Sequence, residues 1–192
     1  MRKIEPSELI INPNGSIFHL HLRPQDLAHT IILVGDPGRV DTVASFFSKI
    51  EVSVANREFK TITGWYDNKR ISVVSTGIGT DNIDIVLNEL DALVNIDLST
   101  REEKKEHTPL TLVRLGTTGA LQPHIPVGSF ISTNIAVGFD GLLNFYAGRD
   151  SVSDLAMEEA FLEFTGWDAK LPKPYYVHSN KVLVDLFKDF TV

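Results

Sequence analysis

Three times in this chain an apolar run meets glycine and stops. Ile31-Ile32-Leu33-Val34 ends at Gly35. Arg70 to Ser75 runs into Thr76-Gly77-Ile78-Gly79, and Leu110-Thr111-Leu112-Val113-Arg114-Leu115 ends at Gly116. A short apolar run bounded by turn residues is the pattern of a strand buried on both faces, as a parallel sheet requires. Helical spacing lies between these runs. Val40, Val43, Phe47 and Ile50 predict one helix. Ile83, Val86, Leu87, Leu90, Leu93 and Val94 form the apolar face of a longer one, with Thr80 or Asp81 as its cap. Glu58 to Trp65 and Arg70 to Ser75 flank Asp67-Asn68-Lys69 as a hairpin. Phe130 to Val137 reads as a further strand, and Ser153 to Phe164 and Asn180 to Lys188 as helices. This alternation predicts an α/β fold with a mixed, largely parallel central sheet flanked by helices. With 192 residues, against ~150 for a typical domain, a single domain over 1–192 is expected. Residues 1–15 read as an irregular N-terminal arm, Phe18 to Leu22 as a short extended piece, and the charged stretch 97–108 as a solvated loop.

Composition narrows the chemistry. Lys plus Arg is 18 and Asp plus Glu is 25, a net charge of −7. The mean field of such a chain repels nucleic acid and anionic membranes, so neither is expected as a partner. An anion must be held by a few basic groups in a shaped site. There is no cysteine, which excludes thiolate zinc sites, disulfides and a cysteine nucleophile. No apolar run approaches the ~20 residues that span a bilayer, and a soluble, cytoplasmic protein is expected. The histidines, at 19, 21, 29, 107, 124 and 178, lack metal-ligand spacing. Gly-x-Ser-x-Gly and His-Glu-x-x-His are both missing.

The glycine segments hold the candidate chemistry, because ligands in such sheets sit beyond the carboxyl ends of strands. Gly35-Asp36-Pro37-Gly38-Arg39 reads either as a tight turn with a surface arginine or as an anion nest with Arg39 as fixed charge. Ser75-Thr76-Gly77-Ile78-Gly79-Thr80 lacks both the dinucleotide Gly-x-Gly-x-x-Gly spacing and the P-loop lysine. In Val113-Arg114-Leu115-Gly116-Thr117-Thr118-Gly119-Ala120, Arg114 interrupts an apolar strand. A buried guanidinium needs a partner, either a structural carboxylate or a bound anion. Two arginines, hydroxyls and glycine backbone together suit a tetrahedral oxyanion such as phosphate.

Taken in order, Phe18-His19-Leu20, Gly35-Asp36-Pro37-Gly38-Arg39, Asn56-Arg57-Glu58-Phe59, Ser75-Thr76-Gly77-Ile78-Gly79 and Arg114-Leu115-Gly116-Thr117-Thr118-Gly119-Ala120, continuing through Leu121 to Gly128, resemble nucleoside phosphorylases of the uridine phosphorylase type. The likeness runs from about residue 17 to about 145, and Thr117-Thr118 is the uridine-type version of its motif. The resemblance implies phosphorolysis of uridine to uracil and ribose 1-phosphate, with inorganic phosphate as co-substrate and no redox cofactor or catalytic metal. A purine phosphorylase, a nucleosidase, or a non-catalytic phosphate-binding or assembly fragment of the same fold are the alternatives. Gly35, Arg39, Arg114, Gly116 and Thr117 match phosphate positions, with Arg114 and Thr117 as the catalytic pair. Arg57 matches an arginine that a neighbouring subunit lends to that phosphate, and His19, beside Phe18, a histidine lent to the ribose 5′-hydroxyl. A homodimer, or a trimer of dimers, is thereby implied. Glu58, Ile78 and Asn82 match a monovalent-cation site at some family dimer interfaces, with Asn82 replacing the usual serine.

The family chain continues past the end of this one, through a base-reading Gln-x-Arg segment and a ribose-gripping Glu-Met-Glu segment. Met157-Glu158-Glu159 resembles the latter superficially but comes too early. It reads as part of an amphipathic helix with Leu155, Phe161 and Leu162 on the apolar side. Residues 146–178 read as an insertion. A truncated chain is therefore expected, carrying mainly the phosphate half of the site and exposing an apolar sheet edge.

Overall fold

The computed structural model describes residues 3–188. The chain divides into two compact units, Met1–Thr118 and Gly119–Val192.

The first unit holds β1 (Thr30–Val34), α1 (Pro37–Ala44), β2 (Lys49–Asn56), β3 (Phe59–Tyr66), β4 (Lys69–Ser75), α2 (Thr80–Asn95), the short β5 (Ile96–Asp97) and β6 (Glu102–Glu103), and β7 (Thr111–Leu115). Five strands form one sheet in the order β2-β3-β4-β1-β7. β1 runs parallel to β4 and to β7, while β2-β3 and β3-β4 are antiparallel. The sheet is mixed, divided evenly between parallel and antiparallel pairings.

β1 sorts its side chains by period two. Ile31 and Leu33 join Phe59, Val74 and the α2 residues Val86, Leu90 and Leu93 in one core cluster. Val34 joins Ile62, Val73 and the α1 residues Val40 and Ala44 in the other, with Ile32 packed against it. The sheet is thus covered on both faces, which explains the continuous apolar run. Asp67 and Asn68 take φ of 45° and 60°. That left-handed pair suits a two-residue hairpin turn, and short polar side chains tolerate it.

Several expectations change. The helix read from Val40 to Ile50 stops at Ala44. Ile50 belongs to β2 and pairs with Gly64, next to a register shift between Ile50 and Val52. A Cβ at Gly64 would lie 2.4 Å from the Lys49 carbonyl and 2.6 Å from the Phe47 ring, so β2 lies close against β3 there. Gly79 is the N-cap of α2, and Thr80 and Asp81 are its first helical residues. Phe18 to Leu20 form a turn rather than an extended piece, closed by Ile17 N–H to the Leu22 carbonyl at 2.8 Å and His21 N–H to the Ile17 carbonyl at 3.1 Å. Within 97–108, β5 pairs with β6, and most of the remaining residues are exposed, as a solvated loop should be.

Arg70 anchors the leading segment to the hairpin. Its guanidinium donates to the Leu27 carbonyl at 2.7 Å, the Gln25 carbonyl at 2.8 Å and Glu51 at 2.8 Å. The Trp65 indole N–H also donates to Glu51, at 2.7 Å. These two side-chain donors, Trp65 first, hold the Glu51 carboxyl down from the ordinary 4.5 to about 2.

The second unit holds β8 (Ile135–Gly138), α3 (Leu155–Thr165), β9 (Tyr175–His178) and α4 (Lys181–Lys188). β8 and β9 pair antiparallel, so the strand expected over Phe130–Val137 begins only at Ile135. Asp154 caps α3 through the Met157 N–H, and Gly166 ends it at φ 59°. Contrary to the amphipathic reading, Leu155 is 44% exposed while Glu158 is fully buried. Arg149 Nη2 lies 2.8 Å from one Glu158 oxygen and Lys173 Nζ 2.9 Å from the other. Burial pushes this carboxyl up, but bonds from Ser153, Lys173 and Arg149 outweigh it and hold the group below its usual range. Phe161 of this helix packs against the rings of Phe139, Trp167 and Tyr176.

Leu90→Ala removes a side chain with no exposed surface and should cost about 2–5 kcal/mol. Leu87→Ala on the exposed side of α2 should cost under about 1 kcal/mol. Urea unfolding of both variants checks this. The bonds to Glu51 stabilise the fold above the unfolded carboxyl's pKa and fade as pH falls towards the folded value. The stability advantage of the wild type over Glu51→Gln should therefore be full at pH 6 and shrink between about 4.5 and 2, read as urea midpoints across that window.

Candidate functional site

Parallel registration carries the three glycine segments to one rim. Val34 pairs with Ser75 on one side and Leu115 on the other. Gly35, Thr76-Gly77 and Gly116 therefore leave adjacent strands at the same level. The chain leaves β1 through α1 for β2 and leaves β4 through α2 towards β7, and open α/β sheets place ligands beyond the carboxyl ends of such strands.

Two guanidinium groups reach this rim. Arg39, in the first turn of α1, donates to the Leu115 carbonyl at 3.5 Å. Arg114 donates to Thr76 Oγ1 at 3.4 Å. Thr76 is itself fixed, its N–H donating to the Val34 carbonyl at 2.8 Å and its hydroxyl to the same oxygen at 3.3 Å. Arg114 was expected to be buried, but it is exposed, because β7 is an edge strand of the five-stranded sheet. Among the described residues no carboxylate forms an ion pair with Arg114 or Arg39, so the structural-carboxylate alternative for Arg114 is not what the fold provides. Gly116 and Thr117 follow directly, both exposed. Asp36 occupies the α1 N-cap without a side-chain cap bond, so an anion at this rim must gain more from the two arginines than it loses to that carboxylate.

A shallow pocket beside the rim is lined by Gly35, Asp36, Pro37, Glu58, Gly77, Ile78 and Asn82. Gly77 has φ 67°, and a Cβ there would lie 2.8 Å from both Glu58 Cγ and Asn82 Nδ2. Only glycine fits that conformation and that space. The three residues matched to a cation site do come together, but Asn82 Nδ2 donates to the Ile78 carbonyl at 3.0 Å. That bond takes one of the two lone pairs of the Ile78 carbonyl.

A second cluster forms around His19. Its ring packs edge-on against Phe18, with centroids 4.8 Å apart, and against Phe59 at 6.3 Å. Arg57 lies 5.9 Å over the Phe18 ring. Arg57 also adopts φ 55° in the two-residue turn between β2 and β3, a conformation that long side chains avoid. Among the described residues no hydrogen bond, ion pair or ring contact ties Arg57 or His19 to Arg39 or Arg114. The sequence-derived site residues thus form two contact groups on the first unit: Gly35, Arg39, Arg114, Gly116 and Thr117 at the strand ends, and Phe18, His19 and Arg57 around the 18–20 turn, with Glu58, next to Arg57, lining the pocket beside the rim.

Sequence reasoning missed Glu89 and Asn56. Glu89 is only 7% exposed and binds the 18–20 turn, and Asn56 Nδ2 donates to the His19 carbonyl at 2.8 Å. The signal for Glu89 was present: an acid on the apolar stripe of α2, between Val86 and Leu90.

A family model described as the phosphorylase superfamily matches residues 29–192. The chain belongs to that superfamily. This phosphorylase-superfamily chain is 34% identical over 151 residues to a uridine phosphorylase of Thermococcus kodakarensis, covering 78% of this chain and 50% of that one. It is 36% identical over 153 residues to the uridine phosphorylase of Salmonella typhimurium, covering 78% and 55%. A crystal structure of a Trypanosoma brucei nucleoside phosphorylase, described as showing uridine phosphorylase activity, superposes with a TM-score of 0.81 at 30% identity, over 92% of this chain and 59% of that one. The chain spans about half the length of the curated relatives it matches. Among the described residues no helix is long and apolar enough to cross a membrane, and no cluster of His, Cys, Asp and Glu could hold a metal ion.

Gly77→Ala would force an alanine into the left-handed region and its methyl against Glu58 and Asn82. It should cost about 1–3 kcal/mol, measured by urea unfolding, whereas Gly119→Ala, with open space around it, should cost under about 1 kcal/mol.

Proposed function

We propose that this chain carries the phosphate-binding half of a uridine phosphorylase, a pentosyltransferase that cleaves uridine with inorganic phosphate to give uracil and ribose 1-phosphate. The observation that supports it most is the rim. Three registered strand ends place Gly35 and Gly116 side by side, Arg39 hydrogen-bonds to the end of β7, and Arg114 reaches across β1 to Thr76 at the end of β4. Neither guanidinium has a carboxylate partner among the described residues, so both have donors left for an oxyanion.

The chemistry needs little else. The glycosidic carbon gains oxocarbenium character as the base leaves. A phosphate held below the sugar by fixed cations is both nucleophile and counter-charge, so the protein works by positioning and electrostatics. Thr117 adds a hydroxyl beside Gly116. The acidic net charge of −7 makes local placement of the arginines decisive, since no general positive field assists. In this reading Arg57, Phe18 and His19 serve a neighbouring copy's site, the first on phosphate and the others on the nucleoside. The working unit is then a homodimer or a trimer of dimers, placed in the cytoplasm.

Arg114→Ala should lower phosphate affinity by at least about tenfold in isothermal titration calorimetry; unchanged affinity overturns the assignment. Phosphate-dependent release of uracil from uridine tests the activity, and ribose 1-phosphate rather than free ribose as product distinguishes phosphorolysis from hydrolysis. Saturable phosphate binding without uracil release would favour a non-catalytic phosphate-binding module. Mixing Arg57→Ala with Arg39→Ala subunits should restore intact sites in mixed dimers, and no recovery in verified mixed dimers refutes the shared site.

A further inference from the structure

Glu89 lies on the buried stripe of α2, and its carboxylate receives three donors from one turn. His19 N–H reaches Oε1 at 2.9 Å and Oε2 at 3.1 Å, and Leu20 N–H reaches Oε2 at 2.8 Å. The His19 ring Nδ1 lies 2.7 Å from Oε1. A buried carboxylate is costly unless its lone pairs are filled, and here both oxygens accept backbone N–H groups. Such an oxygen has no proton to give, so the proton in the ring contact sits on Nδ1. Of the two neutral tautomers, this one carries its lone pair on Nε2. Among the described residues no hydrogen bond reaches Nε2, and the His19 side chain is 26% exposed. Asn56 holds the His19 carbonyl, and Phe18 and Phe59 bracket the ring.

We propose that Glu89 is a positioning residue: it fixes both the orientation and the Nδ1–H tautomer of His19, so that Nε2 is presented as a hydrogen-bond acceptor for a ligand hydroxyl. The identity of that hydroxyl, a sugar hydroxyl of the nucleoside, rests on the phosphorylase reading. The tautomer and the orientation do not.

The geometry sets a specific discrimination. A site that offers only an acceptor takes a hydroxyl as donor, and a ligand with hydrogen or an ether oxygen in that place leaves the lone pair unmatched. Replacing Glu89 by Gln keeps the shape but introduces an amide N–H₂. One end of the side chain then faces the His19 and Leu20 N–H groups, or the ring, as donor against donor. The ring loses its fixed tautomer without losing its packing.

Two measurements on the full chain separate this proposal from the reading beneath it. The first is nitrogen-15 NMR of the His19 ring at neutral pH, which requires no turnover. An Nδ1–H tautomer in the wild type that becomes mixed or inverted in Glu89→Gln supports the proposal. An Nε2–H tautomer in the wild type overturns it, with no variant needed. The second is steady-state kinetics with uridine and 5′-deoxyuridine. Glu89→Gln and His19→Ala should each raise KM for uridine by about tenfold with kcat nearly unchanged, leave 5′-deoxyuridine nearly unaffected, and combine in the double variant to no more than His19→Ala alone. Additive effects of the two changes, or an equal loss with both substrates, would make Glu89 merely structural and overturn its role. Glu89→Asp, which keeps the charge, should recover part of the loss. Absence of uracil release from the wild type counts against the uridine phosphorylase reading, while the NMR result still decides the tautomer.

Discussion

β1 is hydrogen-bonded on both edges and buried on both faces. Its five residues pair with β4 and β7 in parallel, and beyond the exposed Thr30 the side chains of Ile31 to Val34 feed two separate cores. A strand enclosed in that way tolerates neither a register slip, which would exchange the two faces, nor a polar side chain. Because parallel neighbours end at the same level, the chain must turn at Gly35, Thr76 and Gly116 together. The rim is a product of that registration, and the arginines are tied to strand ends, Arg39 to the Leu115 carbonyl and Arg114 to the Thr76 hydroxyl, rather than to each other.

The electrostatics are those of a local exception. An acidic protein keeps two guanidinium groups without carboxylates on a rim that also bears Asp36. Elsewhere its cations are spent on structure: Arg70 on Glu51 and two carbonyls, and Arg149 and Lys173 on buried Glu158. The contrast between satisfied and available arginines separates the rim from the scaffold more sharply than burial does.

Much of this was legible in the sequence. The runs 31–34, 70–75 and 110–115 marked their strands because two covered faces demand continuous apolar residues. The 59–75 hairpin showed itself through Asp67-Asn68, and α2 through its spacing. Other elements were hidden by ambiguity or by distance. Ile50 fits a helical period with Val43 and Phe47, yet Val52 and Val54 also alternate as a strand, and pairing with β3 decides for the strand. Phe18 to Leu22 alternates like a strand, but a carboxylate 70 residues away holds its amides in a turn. No local pattern encodes that contact. Arg114 looked buried because its neighbours are apolar; burial depends on what lies beyond β7, which the pattern within β7 does not contain. Glu158 read as part of an amphipathic helix with Leu155, Phe161 and Leu162 on its apolar side, and its partners Arg149 and Lys173 lie 9 and 15 positions away in sequence.

The His19–Glu89 contact joins two segments through side chain and main chain at once. Holding a ring by its nitrogen, its amide and its carbonyl removes the rotational freedom of that side chain when the protein folds. Whatever later meets His19 finds a group already immobilised, so association need not supply that ordering again. The same rigidity limits adaptability: a ligand whose donor is displaced by an ångström cannot be followed by the ring, and fidelity to one ligand geometry is built in before any ligand arrives.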